Sequence, residues 1–493
     1  MTEKIYHFID GAPAEPASGE YIESTNPATL ETLYSFARGG KEDVEKAVAS
    51  AKKAFESSGW RDLSATKRGH LLRKLGDLIA ENSEELALQE SLDNGKLLRE
   101  MRAQLKSVPE YLYYYGGLAD KIMGSTIPSS SPFVLNYTVR EPLGVVGAIT
   151  PWNSPITLTI SKLAPALASG NTIVIKPSEY TSRTIVRIAE LAHEAGFPPG
   201  VVNVVTGYGA EAGAALVEDK RLAKISFTGS TQTGSSIAAS AASRFIGTTL
   251  ELGGKSPNIV FSDADCDNAS IGIVAGIFAA AGQTCIAGSR VFAQEEIYDE
   301  LVEKIINRAS KIKMGDPLKD DTELGPLAFA GQLEKVESYV QQGIAEGAKL
   351  QFGGSRPDVG LPGYFFSPTV FTEATNEMTI CREEIFGPVV AIMPFKTEEE
   401  VLAKANDTSY GLAAGVWTSN LQRAIRMSDR LEAGTVWLNM YRAMSPTSPR
   451  QGFKNSGVGI EHGVEAINEY TRLKSVWINT DESPMQDPFI LRS

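Results

Sequence analysis

The stretch from Glu251 to Cys285 holds the residue types that covalent catalysis needs. It begins as ELGGKSPNIV, where the carboxylate of Glu251 precedes Gly253 and Gly254, and it ends as AAAGQTCIAG around Cys285. A thiol attacks as its thiolate, and a carboxylate can act as general base for the thiol or for a water. Buried structural cysteines are common, so this pair alone does not establish a nucleophile. The motifs around the pair favour Cys285 as the nucleophile.

Two loops that follow predicted buried strands carry polar groups suited to a ligand. The loop TPWNSP, at 150–155, follows the strand GVVGAI, and the amide of Asn153 can donate to a developing oxyanion. In IKPSE, after the next strand, Lys176 and Glu179 can bind ribose hydroxyls. A carboxylate there repels a 2′-phosphate, which favours NAD over NADP. Taken alone, each loop is also an ordinary turn.

A glycine turn follows a third predicted strand. SFTGSTQTG places Gly229 ahead of a predicted helix, whose first backbone N–H groups can face a pyrophosphate. Its spacing is close to that of a P-loop, but Ser235 occupies the place of the P-loop lysine, which disfavours a nucleoside triphosphatase. Upstream, GYGAEAG contains Gly209 and Gly213 and is one residue off the G-x-G-x-x-G fingerprint, a weak signal.

The segment EEIFGPV, at 383–389, offers a carboxylate and an aromatic ring. Glu384 can bind the nicotinamide ribose and Phe386 can pack on the nicotinamide ring, although a surface Glu and a core Phe are the structural alternative. None of the four histidines has a catalytic or metal-binding spacing, so no metal site is predicted and Glu251 is the more economical base.

Composition limits the function classes. The chain has 493 residues, which predicts two or more domains. Its 47 Lys and Arg against 60 Asp and Glu give a net charge of −13, which argues against nucleic acid or a membrane as the main partner. Three cysteines form neither a disulfide framework nor a zinc motif, and reduced thiols suit a cytoplasmic protein. Neither a secretory signal nor an apolar span of about 20 residues is visible.

The pattern of apolar residues predicts an α/β fold. Within 146–253, continuous apolar strands alternate with helices, which is typical of a doubly wound sheet. Residues 41–123 are predicted to be helical, with the last helix at 98–123. A second α/β run follows residue 254, and it includes a predicted helix at 269–281. Residues 124–145 have the pattern of a β-hairpin with Ser and Pro at its turns.

Together these motifs resemble the NAD(P)-dependent aldehyde dehydrogenase superfamily across essentially the whole chain. TPWNSP, KPSE, FTGS, LELGGKSPNIV, GQTC, EEIFGPV, GTVWLN and GFKNSGVGIEHG occur in the family's order, and ELGGKSP followed by GQTC is highly specific. The resemblance is closer to the hydrolytic betaine-aldehyde, retinal and acetaldehyde-oxidising branch than to the CoA-acylating one. It implies NAD, less so NADP, as the cofactor. The residues implied for cofactor binding are Thr150, Pro151, Trp152, Lys176, Ser178, Glu179, Gly209, Gly213, Phe227, Gly229, Ser230, Leu252, Gly253, Glu384 and Phe386.

The resemblance also implies a mechanism. The Cys285 thiolate attacks the aldehyde, and the amide of Asn153 with the Cys285 backbone N–H stabilises the oxyanion. Hydride transfer to nicotinamide leaves a thioester, and Glu251 activates the water that hydrolyses it to a carboxylic acid. CoA-acylating relatives generally lack the counterpart of Glu251, so hydrolysis is expected. Glu461 matches a family glutamate near the C-terminus and is expected to relay protons.

The family architecture implies three regions. A Rossmann-like NAD-binding domain is expected from 1–123 and 146–253, and a catalytic α/β domain from 254–462. A small β oligomerisation unit is expected from 124–145 and 463–493, so the protein is expected to be a homodimer or homotetramer.

Departures from the family pattern concern the substrate. Arg450 replaces a frequent pocket aromatic, Ser154 replaces another, and Arg442 and Met444 stand where the family lines its substrate tunnel. A roomier, more polar pocket is expected, suited to an aldehyde with a carboxylate or other polar group bound by Arg442 or Arg450. The alternative is that these arginines face a subunit interface. The predicted substrate residues are Ser154, Leu158, Thr284, Ile286, Arg442, Met444 and Arg450.

Two other function classes remain open from the residues. A cofactor-free thiol hydrolase or acyltransferase would also use Cys285, and a non-catalytic protein could keep the same fold. Binding of NAD separates the first from an aldehyde dehydrogenase, and the intact set of Cys285, Glu251 and Asn153 disfavours the second.

Overall fold

A computed structural model, which describes residues 3–485 together with Asp487 and Phe489, contains two large sheets. In the first, the central strands run parallel and antiparallel strands close both edges. In spatial order its strands are Gly457–Val458, Gly247–Glu251, Leu222–Thr228, Val145–Ile149, Thr172–Lys176, Val202–Val204, His7–Ile9 and Ala12–Ala14.

Helices cover both faces of this first sheet, which explains why its strands are continuously apolar. One face packs against Ala65–Glu81, Leu98–Leu118, Pro155–Ala168 and Arg183–Ala195. The other face packs against Lys41–Glu56, Ala214–Glu218 and Thr231–Ala242. Successive residues of Thr172–Lys176 alternate between the two cores, as the two-residue period of a strand requires.

The strand order of the first sheet creates a switch point. Val145–Ile149 is followed along the chain by Thr172–Lys176 on one side, whereas the later strand Leu222–Thr228 lies on its other side. Ligands of open α/β sheets bind at such a point, beyond the carboxyl ends of the strands. The loops that begin at Thr150 and Gly229 therefore meet at the edge where a ligand is expected.

The second sheet is built by the same rules. All its strands are parallel except the first, which pairs antiparallel with its neighbour. Its strands in spatial order are Lys349–Phe352, Thr369–Thr372, Val389–Phe395, Arg290–Gln294, Pro257–Val260, Ala413–Trp417 and Thr435–Leu438. The helices that accompany it along the chain are Cys266–Phe278, Tyr298–Ala309, Ala330–Ala345, Thr379–Arg382, Glu398–Asn406 and Leu421–Arg430.

Smaller elements complete the described chain. Val134–Pro142 pairs with Thr126–Ile127 on one side and with Thr471–Asn479 on the other. Thus the segments 124–145 and 463–493 meet in one sheet, as far as 463–493 is described. Two further small sheets are present: Lys4–Ile5 pairs with Thr32–Ala37, which also pairs with Tyr21–Thr25, and Tyr410–Gly411 pairs with Phe453–Lys454. The remaining helices are Ser58–Arg61, Ser83–Asn94, Ala119–Lys121, Gly209–Gly213, Ala279–Gly282, Glu295–Ile297 and Ala466–Glu469.

Two predicted helix boundaries differ from the structure. The helix predicted at 98–123 ends at Leu118, and the helix predicted at 269–281 runs instead from Cys266 to Phe278. Strand Gly457–Val458 lies in the segment 254–462 but pairs with Gly247–Glu251 of the first sheet. That pairing brings the C-terminal part of the chain to Glu251. No helix in the described part of the chain combines the length and apolar character needed to cross a bilayer.

Candidate active site

A left-handed turn delivers Cys285 from the end of a helix. After Phe278 the chain enters the left-handed region at Ala280, Ala281 and Gly282, with φ of 55°, 53° and 71°. Each non-glycine residue there costs about 1–2 kcal/mol, and such strain is concentrated at functional sites. At Gly282 a Cβ would lie 2.1 Å from the Gly387 carbonyl oxygen, so a side chain is excluded. The turn therefore fixes the end of the helix and the position of Cys285, which follows the turn.

Gly254 places the backbone of Cys285 against the segment that carries Glu251. A Cβ on Gly254 would lie 2.3 Å from the Cys285 carbonyl oxygen. The backbone N–H of Gly254 also donates to Oε1 of Glu384 at 3.0 Å. The absence of a side chain at Gly254 thus allows the backbone of Cys285 to approach the segment that follows Glu251.

We expect Gly254→Ala to lower kcat/KM by about 10- to 100-fold, because an added Cβ must displace the Cys285 backbone and small displacements of a reacting group cost this much. Steady-state kinetics measures the loss. Gly247→Ala is the matched control, since nothing lies within 4 Å of a Cβ there. Equal activity of both variants would contradict the assigned contact.

Arg450 lies between the thiol and the carboxylate. Its Nη2 donates to Cys285 Sγ at 3.1 Å, and its Nε lies 3.1 Å from Glu251 Oε2. Arg450 is 8% exposed and Glu251 is 1% exposed. Backbone pairing between Arg450 and Glu461 holds the arginine in place. The sequence-based prediction put Arg450 near the substrate, and the structure places it in contact with the side chains of both Cys285 and Glu251.

Burial and neighbouring charges set the ionisation of these groups. Burial raises the pKa of Glu251 to about 7, and Arg450 opposes that rise. Burial also raises the pKa of the Cys285 thiol, while the Arg450 guanidinium lowers it. Neither carboxylate oxygen of Glu251 accepts a hydrogen bond from the described residues. Glu251 can therefore take a proton from a water near neutral pH.

The side chain of Asn153 is buried and anchored beside the candidate nucleophile. Its Nδ2 donates to the Gln283 carbonyl oxygen at 3.0 Å, which ties the loop at 150–155 to the turn before Cys285. A side-chain amide has two N–H donors, so one stays available for an oxyanion.

One cavity of about 160 Å³ gathers many of the predicted cofactor residues. It is lined by both Asn153 and Cys285, so it reaches the candidate nucleophile. The predicted residues that also line it are Pro151, Trp152, Leu158, Gly229, Ser230, Leu252, Gly253, Glu384 and Phe386. Leu158, one of the predicted substrate residues, also lines this cavity. Thr228, Gln332 and Lys335 line this cavity too and were not predicted; only Thr228 belongs to a recognised motif.

The other predicted cofactor residues lie outside this cavity. Lys176 Nζ pairs with Glu179 Oε2 at 3.2 Å, and a Cβ on Gly213 would lie 3.8 Å from the Lys176 side chain. These three form a second cluster after strand Thr172–Lys176. Phe227 packs its ring against Gly229. The remaining predicted residues, which do not line the cavity, are Thr150, Ser178 and Gly209.

A second cavity, of about 270 Å³, is lined by Arg450, which does not line the first. Of the predicted substrate residues, Ile286, Met444 and Arg450 line it. Arg442 does not line it and instead donates from Nη1 to the Ala275 carbonyl oxygen at 3.2 Å. Ser154 accepts a hydrogen bond from Lys96 Nζ at 2.8 Å and, like Thr284, lies outside both cavities. The lining residues that sequence reasoning missed are Thr435, Trp437, Ala443, Ser445, Ser448, Pro449 and His462.

Glu461 belongs to a buried ion pair beneath the site. Lys162 donates to Glu461 and, at 2.7 Å, to the Thr228 hydroxyl. Burial alone would raise the pKa of Glu461, but the charge and hydrogen bond of Lys162, together with other neighbouring groups that include Arg450, outweigh burial and lower it. Glu461 is therefore a carboxylate near neutral pH.

We expect Lys162→Met to destabilise the protein by about 3–5 kcal/mol, because it leaves the buried Glu461 carboxylate without its cation. Urea unfolding followed by tryptophan fluorescence measures the shift of the midpoint. Lys46→Met, in the exposed pair with Glu42, is the matched control and is expected to change little. Equal shifts in both variants would contradict the assigned role of the pair.

Comparisons with known proteins agree with this geometry. The model of the aldehyde dehydrogenase family matches residues 14–476. Aldehyde dehydrogenase 1A1 of Homo sapiens is 46% identical over 482 residues, covering 96% of this chain and 95% of the relative. Betaine aldehyde dehydrogenase of Bacillus subtilis is 44% identical over 475 residues, covering 96% and 97%. The NAD+ complex of an aldehyde dehydrogenase from Bacillus cereus superimposes with a TM-score of 0.95 at 46% identity, covering 97% of both chains.

These matches extend over both large sheets and both cavities, and they confirm the predicted α/β fold class and the predicted family. Among the described residues, no group of three or more His, Cys, Asp and Glu side chains is placed to hold a metal ion. The chain belongs to the aldehyde dehydrogenase family.

Proposed function

We propose that this protein oxidises aldehydes to carboxylic acids with NAD, using Cys285 as the nucleophile. The observation that carries the proposal is the position of Cys285, which lines one cavity and contacts Arg450, a lining residue of the other. An aldehyde entering from the Arg450 side would reach a thiol that faces the cofactor cavity.

Residues around the first cavity fit a nicotinamide nucleotide. Gly253 leaves open a space next to Glu384, since a Cβ there would lie 2.7 Å from Glu384 Oε2. Glu384 can hold ribose hydroxyls, Gly229 lets the chain approach a pyrophosphate, and Phe386 with Trp152 offers aromatic surface for a ring. NAD, when bound, supplies the hydride acceptor. The Lys176–Glu179 cluster favours NAD over NADP, because the Glu179 carboxylate would repel a 2′-phosphate.

The chain's own residues account for the remaining steps. Cys285 attacks the carbonyl carbon, and the free N–H of Asn153 stabilises the resulting oxyanion. Loss of hydride leaves a thioester on Cys285. Glu251 then takes a proton from a water, which hydrolyses the thioester to the acid. The presence of Glu251 favours water over CoA as the acceptor, and neither a cofactor-free hydrolase nor a non-catalytic role accounts for the first cavity.

The aldehyde is proposed to be a short oxo acid. Arg450 supplies a permanent positive charge to the second cavity, whereas burial lowers the pKa of the neighbouring His462 to about 4 and keeps it neutral. Because Arg450 Nη2 is 3.1 Å from Cys285 Sγ, a carboxylate on the guanidinium must be near the reacting carbonyl. Arg442, outside this cavity, is not proposed as its partner.

Absorbance of reduced nicotinamide tests the proposal. Wild-type protein and Cys285→Ala would be assayed with NAD or NADP over aliphatic, aromatic, amino and carboxylated aldehydes, with and without CoA. NADH formation without CoA, lost in Cys285→Ala and fastest with short oxo acids, is the expected result. A requirement for CoA, or no NAD binding, would overturn it.

We further propose that the protein is a cytoplasmic homodimer or homotetramer. Strands Val134–Pro142 and Thr471–Asn479 expose apolar side chains, which are Leu135, Leu473, Trp477 and Ile478. Large apolar side chains exposed on a strand pair support association. Light scattering during gel filtration would measure the mass, and a monomer would contradict the proposal. The three free thiols support a reducing compartment, which cell fractionation tests.

A further inference from the structure

Arg450 is the cation in contact with the thiol of Cys285. Its Nη2 donates to Sγ at 3.1 Å, a distance at which a charge-assisted hydrogen bond favours the thiolate. The same side chain is 8% exposed, so water screens its charge weakly. A fixed cation beside the sulfur stabilises the anion and so opposes the effect of burial on the thiol.

The other charged groups around Cys285 act differently. Glu251 and Glu384 are carboxylates that raise the pKa of the thiol, after burial itself. Lys96 is a buried amine in the same neighbourhood, and burial lowers its pKa to about 8. Lys96 donates to Ser154 rather than to Sγ. Arg450 is therefore the group whose position and permanent charge both favour the thiolate.

We propose that Arg450 activates Cys285 by stabilising its thiolate form through the contact with Sγ, and that Glu251 serves the hydrolytic water instead of the thiol. The thiol proton leaves to solvent. The inference rests on the proposed role of Cys285 as nucleophile. It assigns activation of the thiol to Arg450 instead of to a carboxylate that would act as general base. Pairing of Glu251 with the same guanidinium keeps the carboxylate close to Cys285, where the thioester is hydrolysed by water.

Alkylation of Cys285 tests this inference without NAD or aldehyde. The rate constant for iodoacetamide would be measured from pH 5 to 10 by mass spectrometry of the peptide that contains Cys285. In Arg450→Gln the midpoint of the profile is expected to rise by about 1–3 pH units, so alkylation at pH 7 slows by roughly 10- to 1,000-fold. Arg450→Lys keeps a positive charge and is expected to restore part of the rate.

Glu251→Gln separates the two candidate activators. If Arg450 activates the thiol, this variant alkylates at pH 7 at least as fast as wild type, because a nearby negative charge has been removed. A clear slowing in Glu251→Gln with no slowing in Arg450→Gln would overturn the inference. Iodoacetate adds a second readout: its rate relative to iodoacetamide is expected to fall in Arg450→Gln, and an unchanged ratio would count against a cation at the thiol.

Controls separate a local effect from misfolding. Arg426→Gln makes the same change in an exposed arginine that pairs with Glu398, and it is expected to leave the alkylation profile unchanged. Cys285→Ala gives the background from Cys266 and Cys381. A normal profile in Arg450→Gln with oxidation of aldehydes intact would reject the activating role alone, whereas failure of NADH formation in wild type would reject the proposed function alone.

Discussion

Glu251→Gln is expected to form one equivalent of NADH per active site in a rapid burst and then to turn over roughly 10²- to 10⁴-fold more slowly than wild type. General-base catalysis contributes this much, and glutamine cannot accept the proton of the attacking water. The burst is expected to persist because activation of the Cys285 thiol is assigned to Arg450 and does not require Glu251. The thioester therefore forms normally and accumulates. Stopped-flow absorbance measures the burst, and mass spectrometry of quenched protein detects the acyl group on Cys285.

The pH dependence of turnover gives a second signature of Glu251. Burial raises its pKa to about 7, so the carboxylate needed for hydrolysis is present above that pH and is lost below it. In wild type, kcat should fall as the pH drops through neutrality, if hydrolysis limits turnover. Glu251→Gln should lose this acid limb, because its side chain does not titrate.

Glu251→Asp is the matched variant for this experiment. It keeps a carboxylate but shortens the side chain, so turnover should fall while the acid limb remains. Loss of the burst in Glu251→Gln would contradict the separation of roles, since it would show that the carboxylate is also needed to form the thioester. An unchanged kcat would contradict the role in hydrolysis.

Sequence patterns predicted the strands of the sheets better than the contacts between the candidate site residues. Buried strands such as Thr172–Lys176 were predictable because continuous apolar runs are typical of sheets covered on both faces. The end of the helix at Phe278 was not predictable from the sequence, because the alanines that follow continue the helical pattern although the backbone becomes left-handed at Ala280. That turn is imposed by tertiary contacts around Gly282, which no local propensity encodes.

The same limit applies to Arg450. Its sequence position marked a departure from the family, but only the strand pairing of Gly457–Val458 with Gly247–Glu251 shows why it meets Glu251. Two segments about 200 positions apart in the chain become neighbours through this edge strand. His462 stands in the motif GFKNSGVGIEHG but was missed because its spacing to other residues matches no catalytic or metal-binding pattern. Ser448 stands in none of the quoted motifs, and both residues line the cavity beside Arg450.

Arg450→Gln is expected to remove the preference for short oxo acids over their neutral analogues. Loss of one partner of a desolvated ion pair costs about 2–5 kcal/mol, which corresponds to a ratio change of roughly 30- to several-thousand-fold. Glutamine can still donate a hydrogen bond but carries no charge. The measured quantity is kcat/KM for an oxo acid divided by kcat/KM for its methyl ester, in which the carbon chain is the same and the carboxylate is neutralised.

Taking a ratio isolates substrate recognition from activation of the thiol. Any loss of thiolate in Arg450→Gln lowers kcat/KM for the acid and for the ester by the same factor and cancels. Arg450→Lys should recover part of the ratio, because an ammonium keeps the charge but cannot form the bidentate pair of a guanidinium. Arg426→Gln, at an exposed arginine that lines neither cavity, should leave the ratio unchanged. If the ratio stays constant in Arg450→Gln while alkylation slows, then Arg450 acts on Cys285 alone and the substrate carries no carboxylate at this position.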